Sequence, residues 1–215
     1  MAGNSIMIPK IIHQIHLGDN PLSDKEVEWQ KTWKKYNPDW NFIFWNDEKI
    51  DSLDLVNQKY IDGETNYSVK SDILRYEILY QYGGVYIDTD FECICNIDEF
   101  IDHKSFIVCK QIDDKKLSAN VCGAFLAASK FNKIIKKLND GISDRSVTHK
   151  KSSPVVKYGP KYLEEIVPAE MWEDSKYVYP FMWYQKKNQP TEHDQLKRLY
   201  PDAVAVHHWG GSWLK

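Results

Sequence analysis

The chain reads as an α/β protein, and two observations predict that class. Short apolar stretches with the two-residue period of strands are interleaved with longer stretches of helical period. At 215 residues the chain is also long enough for one domain with a substantial core. There is no internal repeat, linker or low-complexity tract, so residues 1–215 are expected to form a single domain, with residues 1–7 set apart as disordered or tag-derived.

In chain order, Ile8 to Gly18 alternates loosely and ends in Gly-Asp-Asn-Pro, a first buried strand and its turn. Ser23 to Tyr36 is an amphipathic helix, with Ser23 and Glu26 spaced as a capping box. Trp29 and Trp33 share one face of it and are assigned to the core. Trp40 to Trp45 is the second strand, and Trp45 is equally suited to core or site. Lys49 to Tyr60 reads as another helix, turned at Asp62-Gly63.

The segment from Ser68 to Glu92 organises the rest. Val69, Ile73, Tyr76 and Tyr80 recur at helical spacing until Gly83-Gly84, which stops the helix. Val85, Ile87 and Thr89 then alternate with Tyr86, Asp88 and Asp90 as a strand does. Beyond it, Phe91 to Ile97 and Ile107 to Gln111 read as extended, and Asp113 to Ser118 as a charged loop. Asn120 to Ala128 precedes a basic helix at Phe131 to Leu138; His149 to Ser153 is a polar loop; Gly159-Pro160 opens a further helix. Tyr177 to Tyr184 is aromatic and extended, and Ala203 to Val206 is a last strand before His207-His208-Trp209.

The strand period puts Asp88 and Asp90 on one face, at or just past the strand's carboxyl end. Two carboxylates so held can share Mn²⁺ or Mg²⁺ and leave its other positions to substrate phosphates. Asp72 and Arg75, three apart, share a helix face. Each feature alone describes a surface turn or an exposed ion pair. Together an acid, a guanidinium and a metal-binding pair describe a phosphate-sugar site.

The run SDILRYEILYQYGGVYIDTD resembles the signature of glycosyltransferases with a DXD sugar-binding region. That group includes initiating α-1,6-mannosyltransferases, capsular-polysaccharide transferases and, more distantly, clostridial glucosylating toxins. The resemblance implies a GT-A fold, with a Rossmann-like, mostly parallel central sheet flanked by helices. It implies a metal-dependent, retaining transferase that moves a hexose from a UDP-sugar or GDP-mannose to a glycan or polysaccharide acceptor, as in polysaccharide biosynthesis.

By the same resemblance Asp72, Arg75, Asp88 and Asp90 are the catalytic set. Asp88, Asp90 and His207 would hold the metal, with His208 in reserve. His16, Asp72, Arg75, Tyr86, Asp88 and Asn120 would meet the donor, joined by Ser212 and Trp213 from a C-terminal ending similar to the family's His-x-Trp-x-x-Ser-Trp. His16 stands where relatives carry a base-stacking tryptophan; His13 reads as an ordinary strand histidine.

A formal charge of −3 gives no reason to expect nucleic acid as a partner. The four cysteines have neither Cys-x-x-Cys nor zinc-ligand spacing and are expected as free thiols in a reducing compartment. With no membrane-span-length apolar run and no signal peptide, the expectation is a cytoplasmic protein. Two rivals stand beside the transferase: a Mg/Mn-dependent nucleotide phosphohydrolase or nucleotidyltransferase, and a non-catalytic carbohydrate-binding module.

Overall fold

The computed structural model describes residues 7–111 and 119–210. Among the described residues eight strands form two sheets: β1 (Ile11–Ile15), β2 (Asn41–Trp45), β3 (Gly84–Ile87), β4 (Phe91–Cys93), β5 (Phe106–Lys110), β6 (Val121–Ala128), β7 (Trp172–Glu173) and β8 (Ala205–His207). The main sheet has the order β2-β1-β3-β6-β5-β7. β1 runs parallel to β2 and β3, and β5 parallel to β7, whereas β6 is antiparallel to both its neighbours. The second sheet is the antiparallel pair β4-β8, in register Phe91↔His207, Glu92↔Val206 and Cys93↔Ala205.

The Tyr67–Tyr82 helix runs into β3 and is buried at nine positions, Asp72, Arg75 and Glu77 among them. Asn66 caps its start by accepting from the Ser68 and Val69 N–H groups, and the Gly83 N–H closes its end on Leu79 O at 2.9 Å. Gly83-Gly84 is needed here for more than stopping the helix. Gly84 has φ of +107°, and a Cβ there would lie 2.5 Å from Ile11 O, so only glycine lets β3 pair closely with β1.

Several sequence expectations are corrected. Lys49 to Tyr60 is two short helices, Asp47–Asp51 and Gln58–Asp62. Ser52 Oγ donates to Lys49 O and ends the first. Asn57 is then pinned by buried Glu77, whose Oε1 accepts from both its backbone N (2.8 Å) and Nδ2 (2.7 Å). Trp33 is fully buried, but Trp29 is only half-buried and packs against His208 instead of the core. The strand at Phe91 ends at Cys93, short of Ile97. Tyr177 to Tyr184 forms no strand; it is a turn whose Val178, Tyr179, Phe181 and Met182 are buried. Asn120 leads into an eight-residue strand. The charged loop from Asp113 lies outside the described residues up to Ser118.

Cys93, Cys95, Cys109 and Cys122 are free, and burial pushes the Cys93 thiol up to about 12. No helix among the described residues is long and apolar enough to cross a membrane.

His13 sits fully buried between β2 and β3. Its Nε2 donates to Gly83 O at 2.8 Å, and its Nδ1 accepts from Trp45 Nε1 at 3.1 Å. That bonding needs a neutral ring, and burial lowers its pKa to about 4. The unfolded chain binds this proton more readily, so the stabilising effect is complete above about pH 6.5 and is lost as pH falls toward 4. Urea titrations are expected to show a loss of about 3 kcal/mol over that window from this group. A His13→Gln chain with an unchanged acid slope would refute the assignment.

Candidate active site

Asp88 follows β3 directly, and its backbone N–H donates to Ala124 O at 2.9 Å, which fixes where the next carboxylates emerge. Its Oδ1 accepts from Tyr86 O–H at 2.6 Å and lies 3.5 Å from Arg75 Nη2. The same Nη2 is 3.0 Å from Asp72 Oδ1, and the guanidinium carbon lies 4.6 Å from the centre of the Tyr86 ring. Asp72, Arg75, Tyr86 and Asp88 therefore form one cluster, with Arg75 between two acids.

Burial sets the electrostatics. It pushes the Asp72 carboxyl up to about 7, against the pull of Arg75 and with the added repulsion of Asp88. Burial would lower Arg75, but Tyr86, Asp72 and Asp88 raise it well above its ordinary value, so it is a permanent cation. For Asp90, burial raises the pKa; His207 and the Gly210 N–H outweigh it and hold the carboxyl below its usual range.

Asp90 is reached from the far end of the chain. The β4-β8 pairing sets His207 opposite Phe91, and the rings stack at 4.6 Å. His207 Nε2 lies 2.9 Å from Asp90 Oδ1, and Gly210 N–H donates to Oδ2 at 2.6 Å. His208 turns the other way: Nε2 meets Glu92 Oε2 at 2.8 Å and its ring lies flat on Trp29. Strand alternation thus directs the two adjacent imidazoles to different acids.

Ligand atoms of Asp88, Asp90 and His207 lie within 4.8 Å of one another. His207 Nδ1 is buried without a hydrogen-bond partner. Two carboxylates and an imidazole at this spacing fit a divalent cation that accepts mixed nitrogen and oxygen ligands, Mn²⁺ more readily than Mg²⁺.

The remaining candidates are dispersed. His16, at the end of β1, stacks loosely on Phe44 and meets Asn20 O through Nε2 at 2.6 Å. Asn120 is exposed, and its Nδ2 donates to Glu164 at 2.6 Å. Ser212 and Trp213 lie outside the described residues. Trp45 belongs to the core.

Three participants escaped the sequence reading. A Cβ on Gly123 would lie 2.8 Å from Arg75 Nη1, and one on Gly159 would lie 3.1 Å from Asp72 Oδ2. Glu26 Oε1 accepts from Thr89 Oγ1 at 2.6 Å and so ties the capping box of the Asp24–Tyr36 helix to the Asp-Thr-Asp turn. Asn120 to Ala128 and Gly159-Pro160 stand out in the sequence, but spacing does not show which side chains the missing methyls of Gly123 and Gly159 make room for.

Residues 23–107 match the glycosyltransferase sugar-binding region containing the DXD motif. Inositol phosphoceramide mannosyltransferase 3 of Schizosaccharomyces pombe is 29% identical over 126 residues, 57% of this chain and 35% of that protein. An uncharacterised glycosyltransferase of Acanthamoeba polyphaga mimivirus is 26% identical over 198 residues, covering 86% of this chain and 78% of that one. Among solved structures, the PaToxG glycosyltransferase superposes with a TM-score of 0.60 at 21% identity, over 76% of this chain and 70% of the other. The matches to the first curated relatives span 35% of their length.

Proposed function

With residues 23–107 placing this chain in the DXD-motif glycosyltransferase family and its sheet in the GT-A fold, we propose that it moves a hexose from a UDP-sugar or GDP-mannose to a glycan or polysaccharide acceptor. The observation that carries this reading is the meeting of Asp88, Asp90 and His207 ligand atoms within 4.8 Å, next to a buried arginine. These three residues would hold a divalent cation, Mn²⁺ or Mg²⁺. When bound, the cation supplies Lewis-acid neutralisation of the charge that develops on a leaving diphosphate.

The chain's own groups do the rest. Arg75, fixed between two acids and an aromatic face, offers a permanent positive charge to the sugar-phosphate link. Asp72, raised to about 7, would accept from or donate to a sugar hydroxyl. Burial raises both acids; at Asp90 the imidazole and the Gly210 N–H outweigh it, whereas at Asp72 the attraction of Arg75 does not. Retention of anomeric configuration and a cytoplasmic setting belong to the same proposal; the free thiols support a reducing compartment.

The deciding experiment screens a panel of nucleotide sugars for Mn²⁺-dependent release of the diphosphate. Release from one or a few donors supports the reading. Hydrolysis of plain nucleotides, with no nucleotide sugar turned over, would replace it with a phosphohydrolase.

Three variants test the site's construction. Loss of a neighbour that only orients a metal ligand typically weakens binding by roughly 10–100-fold, so His207→Ala is expected to cost at least that much in Mn²⁺ affinity. His208→Ala should cost less. Manganese titration followed by electron paramagnetic resonance compares them, and equal losses would refute the assignment. Gly123→Ala forces a methyl against Arg75 Nη1 and Leu163 and should lower kcat/KM by roughly 10²-fold in steady-state assays. Wild-type kinetics would mean that the position of Arg75 is unimportant.

A further inference from the structure

A cavity of about 300 Å³ lies beside Glu92, whose carboxylate also holds His208, and the proposed transfer chemistry leaves it unused. One wall is a stripe of the Asp24–Tyr36 helix that includes Glu28, Trp29 and Tyr36; Glu192 and His193, at the start of the His193–Leu199 helix, form another. We propose that this cavity is a carbohydrate subsite that takes one neutral sugar unit of the acceptor, away from the hydroxyl that reacts. The proposal rests on the transferase reading.

The centrepiece is Trp29. His208 covers one face of its indole, with centroids 4.2 Å apart and planes 5° from parallel, and Glu92 holds His208 in turn. The ring is therefore a fixed plate, half-buried, whose remaining surface lines the cavity. A pyranose presents an apolar C–H face to such a plate and its hydroxyls to polar groups around the rim. Glu28, Thr32 and Glu192 supply those groups.

Charge selects among ligand classes. Glu28 is paired with Lys25 at 3.0 Å, and Glu92 is engaged by His193 at 2.5 Å and His208 at 2.8 Å. Most of the acidity is thus already partnered. A quaternary ammonium would want unpaired acids around aromatic faces; a phosphate would want freely offered cations, whereas here Lys25 is held by Glu28 and Lys35 lies over the Tyr36 ring, beside three glutamates. A neutral polyol needs neither. Position selects the acceptor. The residue that backs Trp29 is the neighbour of His207, and its own backbone N–H donates to Asp90 O at 2.9 Å. His208 thus connects the plate under the sugar to the backbone of one metal-binding acid.

The test uses the full chain, with mannotriose, maltotriose and chitotriose as probes at millimolar concentration. The Trp29 indole signal is assigned in a ¹H–¹⁵N spectrum by its loss in Trp29→Phe. At least one trisaccharide is expected to shift it saturably. Glu192 is exposed and its side chain makes no capping bond, so Glu192→Ala should weaken that binding by about tenfold without altering donor hydrolysis. No shift with any trisaccharide, binding unchanged in Glu192→Ala, or a Trp29 response to tetramethylammonium or inorganic phosphate instead would overturn the subsite. Mn²⁺-dependent donor hydrolysis without acceptor is read separately. Its absence counts against the transferase reading; its presence with a silent Trp29 counts against the subsite alone.

Discussion

Asp90→Asn is expected to lower metal-dependent donor turnover by roughly 10³-fold or more, since a bound cation contributes several kcal/mol and each 1.36 kcal/mol is tenfold in rate. The physical reason lies in what Asp90 satisfies at once. One carboxylate oxygen faces His207 Nε2 and the other accepts the Gly210 N–H. An amide keeps one acceptor for the Gly210 N–H and turns a donor toward His207 Nε2, so the imidazole must take the tautomer that accepts there and the site loses a negative charge. The main sheet is untouched, and circular dichroism should show native secondary structure. Manganese binding followed by paramagnetic resonance and diphosphate release should fall together. Unchanged turnover at wild-type Mn²⁺ concentrations would remove Asp90 from the metal site.

The second large effect belongs to Arg75. Replacement by methionine leaves buried Asp72 and half-buried Asp88 with no cation between them. Removing one partner of a buried charge pair typically costs about 3–5 kcal/mol. The loss should depend on pH with a definite sign. Without the guanidinium, Asp72 is raised still further in the folded state, so folding takes up a proton and stability falls as pH rises. Urea denaturation should therefore show a smaller deficit near about pH 5 than near about pH 8. Asp72→Asn on top of Arg75→Met should flatten that dependence. If Arg75→Met is as stable as the parent at every pH, the buried network does not do what its geometry implies.

The fold class and the grouping of Asp88, Asp90 and His207 were legible in the sequence, because period and motif carried them. Alternation in Val85 to Asp90 predicts both acids on one face; β3 itself ends at Ile87, and the turn that follows still brings Asp88 and Asp90 together. What stayed illegible depends on partners distant in the chain. Nothing local announces that Glu77 will pin Asn57 and break a helix, or that Trp29 will leave the core to meet His208. The β4-β8 pair is three residues long on each side, too short to stand out as a pattern. Gly123 was visible only as a spacing, since the need for it lies in the volume of Arg75.

Asp90 and His207 are 117 positions apart, joined through that short two-strand ribbon. Such an arrangement makes catalytic competence a report on the integrity of the molecule. A chain stalled in synthesis before β8 would carry both acids and lack the imidazole that meets them.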